Sequence, residues 1–101
     1  MTNGMVDLIN RGIVDNSTKT ICPGQSVASL ALGTRMLYDF LDHNRDVVFR
    51  DIAWVNDPFI IAQNKDMVAI NSCLEIDLSG QICADSIGTR IFSGVGGQHD
   101  F

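Results

Sequence analysis

The feature that most constrains the fold is a change of hydrophobic period at Met67. From Met67 to Leu78 the residues alternate. Val68, Ile70, Ser72, Leu74, Ile76 and Leu78 fall on one face, and Met67, Ala69, Asn71, Cys73, Glu75 and Asp77 on the other. Successive side chains of an extended backbone point to opposite sides, so this spacing predicts a strand over 67–78. Ser79-Gly80 turns the chain and Gln81-Ile82-Cys83-Ala84 returns, which predicts a β-hairpin. Ile91-Phe92 predicts a last short strand leading into the glycine-rich Gly94-Val95-Gly96-Gly97.

Upstream, the signals alternate between helix and strand. Val6, Leu8, Ile9 and Ile13 suit a short helix closed by Gly12, which tolerates the left-handed C-terminal conformation. Asp15 to Lys19 is a polar turn, and Pro23-Gly24 marks another. Val27-Ala28-Ser29-Leu30-Ala31-Leu32 reads as a strand covered on both faces. Thr34 is a candidate N-cap for a helix whose stripe Met36, Leu37, Phe40 and Leu41 is assigned to the core, with Asn44 as its stop. Val47-Val48-Phe49 predicts a strand. Asp57 caps, and Pro58 opens, a short helix filled by Phe59, Ile60 and Ala62. The expected fold class is α/β: a mixed sheet with flanking helices and a β-hairpin.

A chain of 101 residues forms one domain at most. Hydrophobic residues at 46% and charged residues at 19% fit a globular chain rather than a disordered one. The formal net charge is −5, and the 7 Lys and Arg are scattered, which argues against a nucleic-acid partner. No apolar run reaches membrane-spanning length, and no membrane partner is expected. Cys22, Cys73 and Cys83 are odd in number and lack CxxC spacing, so they read as free thiols in a reducing compartment. Cys73 and Cys83 are expected to face each other across the hairpin, reduced. His43 and His99 lie far from any cysteine pair, so no metal site is expected.

The glycine loop carries the chemistry. Three glycines in Gly94-Val95-Gly96-Gly97 let a ligand approach the backbone, and unpaired N–H groups there favour an anion. A helix is expected after it, with Asp100 as its cap, so the sequence reads as a fragment cut through an active site. Simpler readings stand beside this one. Gly94-Val95-Gly96 alone is an incomplete dinucleotide fingerprint. His99 is a solvent-exposed loop residue, and Glu75 is a solvated strand glutamate. Asn56, preceding Asp-Pro, is by itself a turn element.

Taken in order, several segments resemble the acetyl-CoA hydrolase/transferase family, which includes 4-hydroxybutyrate and acetate CoA-transferases. They are Thr2-Asn3-Gly4-Met5-Val6-Asp7-Leu8, Asn56-Asp57-Pro58, Met67 to Ser72, Leu74 to Gln81, Ala84-Asp85-Ser86, and Gly94 to Phe101. The resemblance covers essentially the whole chain. It implies that residues 1–101 are a fragment of the C-terminal catalytic domain. It further implies coenzyme A chemistry on acyl-CoA and short-chain carboxylates, in a homodimer with each active site between two similar α/β domains. The implied compartment is the cytoplasm, or the mitochondrial matrix in a eukaryote.

The implied reaction runs through an active-site glutamate. It attacks an acyl-CoA thioester, forms an acyl-glutamyl anhydride, and passes through a glutamyl-CoA thioester. By alignment that glutamate belongs to a His-(Ser/Thr)-Glu-Met motif falling just before Met1, so residues 1–101 alone are expected to be inactive. Gly96 and Gly97 match the family's double glycine, with the Gly97 amide as oxyanion donor and Gly96 beside it. Gly94, Val95 and Gln98 are implied to line the CoA thioester. Asn56 is implied to orient the reacting carboxyl groups. A non-catalytic CoA- or nucleotide-binding module is the alternative, and a purely structural piece is the third reading. Exposed hydrophobic edges are expected to bring copies together.

Overall fold

A computed structural model describes residues 1–101. The chain forms two compact units, Met1–Asp66 and Met67–Phe101. The fold is α/β, with parallel and antiparallel strand pairs, but the strands form three separate two-stranded sheets rather than one mixed sheet.

In the first unit, α1 (Asn3–Asn10) turns Val6 inward and leaves it 2% exposed. The helix ends as its sequence dictates. Gly12 takes φ +68°, its N–H donates to the Ile9 carbonyl (2.9 Å), and the Ile13 N–H donates to Leu8 (3.0 Å). These two bonds satisfy the last carbonyls of the helix. Strand β1 (Ser26–Ala28) then pairs in parallel with β2 (Val47–Phe49), in the register Ser26 to Val47 and Ala28 to Phe49. Parallel neighbours need a crossover, and α2 (Arg35–Leu41) provides it.

The core is formed by Val6, Ala28 and Leu37, one from each of α1, β1 and α2. Asn3 ties α1 to the start of α2. Its Nδ2 donates to Thr34 Oγ1 (2.8 Å), and its Oδ1 accepts from the Thr34 N–H (3.1 Å). Thr34 sits at the N-cap, as the sequence indicates, but its hydroxyl serves Asn3 rather than its own helix. A Cβ at Gly33 would collide with Asn3 Oδ1 and come within 2.8 Å of Leu37 Cδ2, so these side chains would have to shift.

Several expectations about this unit need correction. The first strand stops at Ala28, and Leu30 and Leu32 are exposed. The Leu32 N–H instead donates to the Met1 carbonyl (3.0 Å). Of the α2 stripe only Leu37 is fully buried; Met36 is exposed. Phe59 in α4 (Pro58–Ile61), for which the sequence set no burial, is 82% exposed. The Asp57 cap is as expected, with its Oδ1 accepting from the Phe59 N–H at 2.8 Å. A further one-turn helix, α3 (Ile52–Val55), was not anticipated; Asp51 caps it in the same way, through the Ala53 N–H.

In the second unit the alternating stretch forms a strand only at β3 (Glu75–Ile76), paired antiparallel with β4 (Ile82–Cys83). Met67–Cys73 has no assigned strand. Alternation selects an extended backbone, but a ladder also needs a neighbour, and β4 reaches only two residues. The hairpin turn is as expected. Gly80 takes φ +90°, and Asp77 Oδ1 accepts from the Ser79 N–H, the Ser79 hydroxyl and the Gln81 N–H. Those bonds, the Ser79 hydroxyl first, hold the Asp77 carboxyl below its ordinary pKa of 3.8. A second hairpin, β5 (Ser86–Ile87) with β6 (Arg90–Ile91), follows around Gly88.

Candidate functional site

The second unit carries a cavity of about 420 Å³. Asn71, Cys73, Cys83 and Asp85 line it from the first hairpin and its flanks, and Val95, Gln98 and His99 line it from the glycine loop. The hairpin wall is held by side-chain bonds. Cys83 Sγ donates to Asp85 Oδ1 (3.4 Å) and lies 3.0 Å from Ser86 Oγ. Glu75 Oε2 accepts from the Gly88 N–H (2.9 Å), binding the first hairpin to the turn of the second. That bond gives Glu75 a structural task. Cys83 stands opposite Glu75 in the ladder, not opposite Cys73 as the sequence reading had it; all three cysteines are free thiols.

The loop leaves the second hairpin through the Asp85 carbonyl, which accepts from the Phe92 N–H (2.7 Å) and the Ser93 N–H (3.0 Å). Gly94 has open space where a Cβ would stand. Gly96 takes φ +70°, a left-handed conformation that glycine adopts without strain. A Cβ there would approach Gln98 Oε1 to 2.9 Å, so the Gln98 side chain lies over Gly96. The Gly97 carbonyl accepts from the Asp100 N–H (3.0 Å), closing a turn. The N–H groups of Gly94, Val95, Gly96 and Gly97 make no backbone hydrogen bond. A short run of free amides with little side-chain cover suits an oxyanion or a phosphate.

Five of the six candidate residues, Gly94, Val95, Gly96, Gly97 and Gln98, therefore share one loop, and Val95 and Gln98 border the cavity. Asn56 belongs to the other unit. It ends α3, where its N–H donates to the Ile52 carbonyl at 2.9 Å, and it is half-buried. The cavity wall formed by Asn71, Cys73, Cys83 and Asp85 was not foreseen. Nothing in its spacing marks it, because its residues converge only through the hairpin. The second hairpin did carry a signal: Gly88-Thr89 between two short extended pairs is a two-residue turn.

Residues 33–101 match the acetyl-CoA hydrolase/transferase C-terminal domain, so the chain belongs to that family. It is 53% identical to a succinyl-CoA:acetate/propanoyl-CoA:succinate CoA transferase from Fasciola hepatica, over 99% of this chain and 21% of the relative. It is 44% identical to a 4-hydroxybutyrate coenzyme A transferase from Clostridium kluyveri, over 100% of this chain and 24% of the relative. The crystal structure of RipA from Yersinia pestis superposes with a TM-score of 0.89 at 42% identity, covering 100% of this chain and 23% of RipA. The chain thus spans about a fifth to a quarter of the length of these relatives.

Proposed function

We propose that this chain is part of an acyl-CoA:carboxylate CoA-transferase, or of an acyl-CoA hydrolase in which water replaces the acceptor acid. Its membership of the acetyl-CoA hydrolase/transferase family carries this reading. The glycine loop supplies the charge stabilisation. The Gly97 N–H, with Gly96 beside it, meets the oxyanion that develops when a carboxylate attacks a thioester carbonyl. Gly94, Val95 and Gln98 line the CoA thioester. Asn56 orients the reacting carboxyl groups by donating from its amide, which does not change protonation state.

The nucleophile in this reading is a glutamate supplied by polypeptide outside residues 1–101. It displaces CoA thiolate to form an anhydride. The thiolate then attacks the glutamyl carbonyl, releases the first carboxylate and leaves a glutamyl-CoA thioester. The acceptor acid reverses both steps and restores the glutamate. The active protein is a homodimer in the cytoplasm, or in the mitochondrial matrix if the source is eukaryotic.

The test is transfer of CoA from an acyl-CoA to a panel of short-chain acids by the protein made from its complete reading frame. Gly97→Pro removes the amide donor and is expected to lower kcat about 10²–10³-fold, the usual cost of one oxyanion donor. Gly97→Ala keeps the N–H and is expected to retain most of the rate. Equal loss in both variants, with CoA binding intact, rules out the amide role. CoA binding with no transfer to any acid or to water points instead to a non-catalytic CoA-binding module.

A further inference from the structure

Two of the three thiols stand on the wall of one cavity. Cys73 and Cys83 line it from the hairpin side, and Val95 and Gln98 border it from the glycine loop. The two sulfurs differ in freedom. Cys83 is half-buried, with its Sγ donating to Asp85 Oδ1 at 3.4 Å and lying 3.0 Å from Ser86 Oγ. Cys73 is exposed and free. Cys22, the third thiol, belongs to the other unit. Thiol–disulfide exchange needs a thiolate with open access to the sulfur it attacks. Cys73 is therefore the thiol that a disulfide entering this cavity meets. The cavity, at about 420 Å³, is large enough for the end of a small molecule, since such sites run from roughly 300 to 1,000 Å³.

We propose that Cys73 is a covalent attachment point for coenzyme A, taken up as a mixed disulfide from a disulfide of coenzyme A. The proposal rests on the transferase reading above, in which Gly94, Val95 and Gln98 line the CoA thioester. In that reading the loop holds the sulfur-bearing end of CoA in the same cavity that Cys73 lines. The Cys73 thiolate attacks one sulfur of the CoA disulfide. The Cys73–CoA S–S bond forms, the CoA–CoA S–S bond breaks, and the departing CoA thiolate takes up the proton that Cys73 released. One disulfide replaces another, so no further oxidant or reductant enters. Binding in the cavity, not the thiol alone, sets the preference for this disulfide, because a held reactant behaves as if highly concentrated. The adduct fills the space beside the loop and keeps acyl-CoA out until it is reduced.

The test uses the protein made from its complete reading frame, reduced and then freed of reductant. It is exposed to CoA disulfide or, at equal concentration, to glutathione disulfide, and the adduct is followed and located by mass spectrometry. One CoA per chain is expected, on Cys73, forming about tenfold or more faster than the glutathione adduct. A saturating thioether analogue of acyl-CoA is expected to slow it, and dithiothreitol to reverse it. Cys73→Ser is expected to abolish the adduct and Cys83→Ser to retain it; peptide mapping of the wild type decides the position even if a variant does not fold. No adduct, an adduct confined to another cysteine, or equal rates for the two disulfides overturns the proposal. So does an adduct that the thioether analogue does not slow. Equilibrium dialysis with the same analogue separates the two possible failures. Binding of the analogue without the adduct refutes the Cys73 assignment alone, whereas no binding refutes the transferase reading and the assignment together.

Discussion

The two units bury their apolar residues very differently. Residues 1–66 hide Val6, Ala28 and Leu37 behind their own helices and parallel strand pair. Residues 67–101 fully bury no side chain and leave Val68, Ile70, Leu78, Ile82 and Ile91 in the open. A parallel pair with a helical crossover creates a layer that can cover itself. Two short hairpins create edges and loops instead. The glycine loop lies in the second kind of structure, where backbone amides remain free to meet a ligand.

Core truncation should separate the units most sharply. Leu37→Ala is expected to destabilise residues 1–66 by about 2–5 kcal/mol, the range for buried leucines. Ile82→Ala in the second unit, 67% exposed here, should change stability by less than about 0.5 kcal/mol. Urea unfolding of each variant measures both. If the Ile82 variant loses as much as the Leu37 variant, the second unit owns a core after all, and the contrast fails.

A smaller effect sharpens the account of local structure. Asp57→Ala removes the bond to the Phe59 N–H and is expected to cost about 0.5–2 kcal/mol, with Asp57→Asn recovering most of it. Circular dichroism during thermal unfolding reads the loss. In the second unit the corresponding device is the Asp77 turn, whose effect depends on pH. Its folded pKa is depressed, so its contribution is present above the ordinary carboxylate value of 3.8 and is lost as pH falls through the lower folded value. Amide shifts of Ser79 and Gln81 should move together over that acidic range and stay constant above it. Asp77→Asn should abolish that titration.

Local rules account for much of this structure. The glycine after α1, the Asp57-Pro58 start of α4, the Val47–Phe49 strand and the Ser79-Gly80 turn are each set by one or two residues acting on their own backbone. Such effects are legible without knowing what surrounds them. The failures concern partners. Met36 was assigned to the core and is exposed. Glu75 is exposed, as a solvated glutamate should be, and its second partner, the Gly88 amide, was not visible in the sequence. Cys83 was matched with Cys73 and stands opposite Glu75. In each case the residue type was informative about its preference but silent about which neighbour was present.

The sequence by itself determined the α/β class, the caps and turns and the family, and it marked Gly94 to Gln98 as a loop with little side-chain cover. These depend on conformational preferences and on an ordered set of short motifs, both written along the chain. Only the tertiary structure decided that the strands form three separate pairs, that Gly33 yields its space to Asn3 and Leu37, and that Cys83 and Asp85 join the loop around one cavity. Those outcomes depend on distances between residues remote in sequence, and a hydrogen bond or a buried contact exists only once both partners have been brought within reach.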